Sequence, residues 1–125
     1  MKLTHFEDIE AWQLARELTK LIYSTTKKDP FARDYGLSDQ IRRAAGSAMH
    51  NIAEGFDSGS DMEFTRFLRY AQRSCSEVQS ELYVALDQQY INDQQFSELY
   101  TLAQQVHDKI GGFIKYLKTP RSKEI

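Results

Sequence analysis

The sequence predicts an all-α fold, an antiparallel up-down-up-down four-helix bundle. Apolar residues recur at helical spacing in four separate segments, and no stretch of useful length shows the alternation of a β-strand. The two prolines, Pro30 and Pro120, lie outside these segments, where they end helices. The predicted connections of about nine, four and two residues suit antiparallel neighbours in a bundle.

The first predicted helix spans residues 7–28. Thr4 and Glu7 have the spacing of an N-terminal capping box, and Pro30 follows the end of the segment. The apolar stripe that we expect to face the core contains Ile9, Trp12, Ala15, Leu18, Leu21 and Ile22.

The second predicted helix spans residues 38–55. Ser38 is its expected N-cap, and Gly55 is expected to end it as the C′ residue. Its apolar stripe contains Ile41, Ala45, Ala48 and Ile52.

The third and fourth predicted helices span residues 61–90 and 93–119. Ser60 and Glu63 form a capping box before the third helix. Apolar residues then repeat at alternating intervals of four and three, as in left-handed helix packing. These seams contain Phe64, Leu68, Ala71, Cys75, Val78, Leu82 and Ala85, and then Leu99, Ala103, Val106, Ile110, Phe113 and Leu117.

The second helix carries small or apolar residues on more faces than one bundle core requires. Small residues allow helix backbones to approach closely, so we expect this helix to pack inside its bundle and beside a subunit interface. The protein is therefore expected to be a homo-oligomer. The predicted structural or interface residues are Ala44, Gly46, Met49, Asn51, Glu54 and Gly55.

Composition limits the class of protein. The 125 residues fit a single domain, 1–125. A net charge of −2 and a pI near 5.9 give no overall field that would draw nucleic acid or anionic lipid. No apolar run approaches the ~18 residues of a membrane span, and the N-terminus lacks a signal-peptide core, so we expect a cytoplasmic location and no membrane partner.

No set of residues predicts catalysis, so we expect a protein that is not an enzyme and uses no metal or other cofactor. His50 and Glu54 have the i, i+4 spacing of two ligands for one metal ion, which leaves a metal-dependent enzyme as an alternative. Against it, no Glu-x-x-His motif occurs, and the seams are apolar where di-iron bundles place carboxylates. Cys75 lies in a seam, which favours packing over a nucleophilic role.

A basic end of the bundle is a candidate nucleic-acid interface. Arg66, Arg69 and Arg73 share one face of the third helix, which starts at the end of the bundle where the fourth helix finishes. The candidate binding residues are Arg66, Arg69, Arg73, Lys115, Lys118 and Arg121. The alternative is that the three arginines form salt bridges with Asp61, Glu63 and Glu77.

Four motifs resemble the family of 23S rRNA intervening-sequence proteins. They are F-E-D-I-E-A-W-Q-L-A at 6–15, Y-G-L-S-D-Q-I-R-R-A-A at 35–45, N-I-A-E-G at 51–55 and E-F-x-R-F-L-x-x-A-x-x-S-x-x-E at 63–77. The resemblance implies a small four-helix bundle that assembles as a ring-like pentamer, in a family whose biochemical function is mostly not established.

The resemblance also implies a fold like that of the accessory variability protein of diversity-generating retroelements, which is strongly basic and binds nucleic acid. This chain differs where the family often continues N-I-A-E-G with glycine and arginine. It has Phe56, Asp57, Ser58 and Gly59 instead. The added acid and the low pI argue against an accessory-type role.

The sequence thus favours a non-enzymatic oligomeric bundle that acts as a binding or scaffold module for RNA or a ribonucleoprotein. The first alternative is a ring that contacts only proteins. The second is the metal-dependent enzyme that would use His50 and Glu54.

Overall fold

The computed structural model describes residues 3–120, and these residues form the predicted bundle. The four long helices are α1 Glu10–Thr26, α2 Tyr35–Phe56, α3 Asp61–Asp87 and α4 Asp93–Lys118. Short 3-10 turns at Phe6–Asp8 and Phe31–Arg33 precede the first two helices. The described residues contain no strand, which confirms the all-α prediction.

Contacts between neighbouring helices establish the antiparallel order. On α2 and α3, Ser47 meets Ser74, and the end of α2 lies against the start of α3. On α3 and α4, the rings of Phe64 and Phe113 lie 5.2 Å apart, close to the start of one helix and the end of the other. The Glu10–Lys109 ion pair joins α1 to α4 and closes the bundle.

The predicted stripes form the core. All seven seam residues of α3 are buried, as are the four stripe residues of α2. The α4 seam is buried except for Phe113, which is partly buried, and Ile114 joins it. On α1, Leu21 keeps 38% of its surface exposed and Trp12 is partly buried, whereas Ala11 is buried. Leu21 therefore lies at the margin of the stripe rather than within it.

The first helix begins at Glu10, three residues later than predicted. The backbone N–H groups of Thr4 and His5 both donate to Asp8 Oδ2, each over 3.1 Å. These two bonds lower the pKa of the Asp8 carboxyl. The predicted Thr4–Glu7 capping box is therefore replaced by a separate turn that Asp8 holds.

The second helix begins at Tyr35 rather than Ser38, because Asp34 is the N-cap and accepts a bond from the Leu37 amide at 3.1 Å. Ser38 lies in the first turn and donates to the Phe31 carbonyl over 2.9 Å. At the other end, Gly55 lies inside the helix, which continues to Phe56. The predicted C′ role of Gly55 is wrong, since the glycine with positive φ is Gly59.

The third helix ends at Asp87, three residues before the predicted end. Gln89 adopts a left-handed conformation, φ 63°, and the Tyr90 amide donates back to the Ala85 carbonyl over 2.9 Å. This is a Schellman ending. Tyr90 then stacks on Phe31 and donates its hydroxyl to Asp34, which ties the start of α2 to the end of α3.

The fourth helix starts at Asp93, as predicted, behind a reciprocal capping box between Asn92 and Gln95. It passes through Gly111 and Gly112 without a break and ends at Lys118. None of the helices within residues 3–120 is long and apolar enough to cross a membrane.

Candidate nucleic-acid interface

The first half of α3 presents a basic face, formed by Arg66, Arg69 and Arg73. The apolar seam turns its own stripe into the core, so residues at these positions lie on the outer side of the helix. All three side chains are exposed. The sequence thus brings three guanidinium groups onto about two turns of one helix.

Arg66 is held in place by neighbours on its own helix. Its Nη2 atom donates to Glu63 Oε1 over 2.7 Å, and its Nη1 atom donates to the Tyr70 hydroxyl over 3.0 Å. The guanidinium carbon lies 5.2 Å from the centre of the Phe67 ring and 5.6 Å from that of Tyr70. The bond to Glu63, followed by the bond to Tyr70, raises the pKa of Arg66.

The other two arginines have different surroundings. The guanidinium of Arg73 lies 5.6 Å from the Tyr70 ring, so this ring has an arginine on either side in sequence. Within residues 3–120, neither Arg69 nor Arg73 forms an ion pair. The salt-bridge alternative therefore holds for Arg66 with Glu63, and not for the other two arginines among the described residues.

The remaining predicted bases lie on or beyond the last turn of α4. Lys115 and Lys118 are exposed in that turn, at the end of the bundle where α3 begins. Arg121 lies outside the described residues. The same end also carries Asp57, Glu63 and other acids, so its charge is mixed. The arginine face, rather than the whole end, is the basic surface.

The predicted structural and interface residues differ in burial. Ala44 and Gly55 are buried, whereas Gly46, Met49 and Asn51 are partly buried and Glu54 is exposed. A Cβ atom on Gly55 would lie 2.8 Å from Phe64 Cδ1 and 2.9 Å from Phe67 Cβ. Gly55 thus makes room for α3. A Cβ atom on Gly46 would meet only the ring of His50, no nearer than 3.8 Å.

Asn51 belongs to a chain of polar groups between α2 and α3. Its amide donates to the carbonyl and the hydroxyl of Ser47, both over 2.9 Å. The Ser47 hydroxyl lies 2.9 Å from that of Ser74, which lies 3.2 Å from the Tyr70 carbonyl. When donation runs from Asn51 through both hydroxyls to the carbonyl, each hydroxyl donates one hydrogen bond and accepts one. These hydrogen bonds are consistent with the structural role predicted for Asn51, which stays a prediction.

The predicted metal pair and the cysteine do not form a reactive centre within residues 3–120. The His50 ring lies back towards Gly46, one turn before it, and so points away from Glu54 on the next turn. No cluster of three or more His, Cys, Asp or Glu side chains that could hold a metal ion occurs in the described part of the chain. Cys75 is buried, and burial raises the pKa of its thiol to about 12, which leaves it protonated and unreactive.

Two features escaped the sequence interpretation. Phe67 supports Arg66, and its position next to that arginine in sequence was the available signal. Glu81 is buried on α3, one residue before the seam residue Leu82. Nothing in its spacing distinguishes it from an exposed acid beside a seam, so this carboxyl could only be found in the folded structure.

Comparison with known proteins identifies the family of the chain. The family model of the 23S rRNA-intervening sequence protein matches residues 7–112. The chain belongs to this family. Among solved structures, it is similar to a protein of unknown function from the S23 ribosomal protein family of Bacteroides thetaiotaomicron, with a TM-score of 0.77. The two are 20% identical over 84% of this chain and 98% of the other, which supports the shared fold alone. The comparison with curated proteins found no match.

Proposed function

We propose that this protein is a non-enzymatic oligomeric scaffold whose basic face binds single-stranded RNA. The observation that carries the proposal is the arrangement of Arg66, Arg73 and Tyr70, with two guanidinium groups beside one tyrosine ring. Single-stranded nucleic acids are bound by basic surfaces that also offer aromatic or guanidinium planes for base stacking. Arg69 adds an exposed positive charge on the same face.

The low overall charge defines the kind of binding that we expect. With a net charge of −2, the chain has no long-range attraction for a polyanion, so contacts depend on the local arginines. We therefore expect weak affinity that rises as salt is lowered and as copies of the face are combined in an oligomer. We also propose that the protein is cytoplasmic, where it would encounter RNA.

The test is binding of a labelled single-stranded RNA, measured by fluorescence anisotropy across a salt series. Arg69→Ala/Arg73→Ala removes the two arginines that form no ion pair within residues 3–120. Each phosphate contact adds about 0.7 to the slope of log affinity against log salt for single strands. We expect the double variant to bind more weakly and to lower this slope by about 1.4.

The matched control is Lys27→Ala/Lys28→Ala, which removes two exposed charges at the far end of the bundle. This variant should bind like the wild-type chain. Absence of binding by the wild-type chain at about 50 mM salt would overturn the RNA proposal, as would equal loss of affinity in both double variants.

A protein-only ring is the second candidate, and an exposed aromatic cluster on α3 and α4 supports it. The ring of Tyr83 lies 4.8 Å from that of Phe96 and 5.9 Å from that of Tyr100, and Tyr83 is half exposed. Exposed aromatic groups of this kind are common at protein interfaces. Tyr83 lies in the second half of α3, which contains no basic residue, so the aromatic cluster is separate from the basic face.

Both candidates require self-association, and Gly46 provides its test. A glycine inside a helix costs about 1 kcal/mol relative to alanine. Unlike Gly112, Gly46 is partly buried and lies on a helix with several other small residues, and a Cβ atom there would meet only the ring of His50, which supports close approach by another subunit. By light scattering, we expect the wild-type protein to exceed 14.5 kDa and Gly46→Leu to fall towards that mass. Gly112→Leu, at another open helical glycine, is the control. A wild-type monomer at micromolar concentration would rule out self-association.

A further inference from the structure

One carboxyl group of the bundle is buried without a full set of partners. Glu81 keeps only 9% of its surface exposed, and its Oε1 atom has no hydrogen-bond partner within the described residues. A buried acceptor without a donor is costly, and a buried negative charge costs more. The proposed RNA surface makes no use of this group, so its burial needs a separate explanation.

Glu81 lies on the side of α3 that faces α2. Ser74, two turns earlier on the same helix face, hydrogen-bonds Ser47 of α2. In an antiparallel pair, a step of two turns along α3 corresponds to the same step back along α2, which places Glu81 beside Gln40. The groove between the two helices therefore contains the carboxyl near the start of α2.

The charged groups at this level do not neutralise Glu81. On its own helix, the exposed Glu77 lies one turn away. On α2, Asp39 and Arg43 are exposed and pair with each other over 2.8 Å. On α4, the nearest acid by register is the exposed Glu98. Burial first, and the charge of Glu77 second, raise the pKa of Glu81 to about 7.

We propose that Glu77 and Glu81 form a proton-binding switch in the α2–α3 groove. With the proton on Glu81, the groove contains a neutral carboxyl and stays closed. When the proton leaves, the negative charge of Glu81 is buried in the groove one turn from the charge of Glu77, and this edge of the bundle loosens. The switch responds to pH near neutrality with no histidine involved.

The proton affinity is tested by 13C NMR titration of the Glu81 side-chain carboxyl in the full chain. We expect a midpoint near 7, against 4.5 for an ordinary glutamate. Glu77→Gln should lower the midpoint but leave it above 4.5, because burial is the larger cause. A wild-type midpoint at or below 4.5 would overturn the proposal.

The opening of the groove is tested by amide hydrogen exchange at about pH 6 and about pH 8, near either side of the expected midpoint. After correction for the intrinsic effect of pH, we expect faster exchange at Ala44 and Ala48 of α2 at the higher pH. Ala103 and Val106 of α4 should show no such change and serve as the internal reference.

Glu81→Gln keeps the shape of the protonated acid and cannot lose a proton, so it should abolish the difference between the two pH values. Glu98→Gln, at an exposed acid that accepts a bond from Gln94, is the matched control and should retain it. The switch is wrong if α2 and α4 respond equally to pH, or if Glu81→Gln responds like the wild-type chain.

Discussion

The two sides of α3 differ in construction, although each packs against an antiparallel helix. Towards α2, the contact uses very short side chains. Gly55 has none, and Ser47 and Ser74 meet through their hydroxyl groups. Towards α4, longer side chains span the gap. Gln72 donates to the His107 carbonyl over 3.2 Å, and Gln79 donates to Gln104 over 3.0 Å.

This difference shows how one helix sets two separations. Small groups allow the backbones of α2 and α3 to approach until a hydroxyl–hydroxyl contact fits between them, so any added atom must push the helices apart. Glutamine side chains have several rotatable bonds and can follow a small shift of α4. We therefore expect substitutions on the α2 side to be costly and those on the α4 side to be tolerated.

Gly55→Ala should have the largest effect of the substitutions that test this comparison. The new Cβ atom would lie 2.9 Å from Phe67 Cβ and 3.2 Å from the Phe64 carbonyl oxygen, and neither atom can move without the backbone. Overpacking of this kind costs about 1–3 kcal/mol, and the usual gain of about 1 kcal/mol from replacing a helical glycine offsets part of it, so we expect the free energy of unfolding to fall by up to about 2 kcal/mol. Urea denaturation followed by circular dichroism measures it, at one fixed protein concentration.

The control for Gly55→Ala is Gly112→Ala, where nothing lies within 4 Å of the added atom. The same chemical change should there raise stability. If Gly55→Ala is neutral or stabilising, then the close approach of α2 and α3 does not depend on this glycine and the comparison fails.

The sequence could predict the core because a core stripe is a repeated pattern. The seven seam positions of α3 and the four of α2 all proved buried, since helical period alone determines which face turns inwards. The helix ends were less predictable. The N-cap of α2 is Asp34 rather than Ser38, because the helix starts directly after the turn at Phe31–Arg33. Both residue types are good caps, so the sequence alone could not distinguish them.

The role of each small residue could not be predicted from the sequence. Gly46 and Gly55 occupy the same predicted helix, yet a Cβ atom on Gly46 would meet only the His50 ring of its own helix, whereas one on Gly55 would collide with Phe64 and Phe67 of α3. That distinction depends on where the next helix lies, which no local pattern records. The same reason hid Glu81, because an acid beside a seam becomes buried only when a neighbour covers it.

Two adjacent glycines of α4 give the smallest and sharpest test. A Cβ atom on Gly111 would lie 3.2 Å from Gln72 Nε2, the free end of a flexible side chain. Replacing an exposed helical glycine by alanine gains about 1 kcal/mol, which we expect in full for Gly112→Ala. Gly111→Ala should gain less, because Gln72 must shift and weaken its bond to the His107 carbonyl. Equal gains from urea denaturation would mean that Gln72 moves without cost, whereas a loss of more than 1 kcal/mol at Gly111 would mean that the α4 side is as tightly packed as the α2 side.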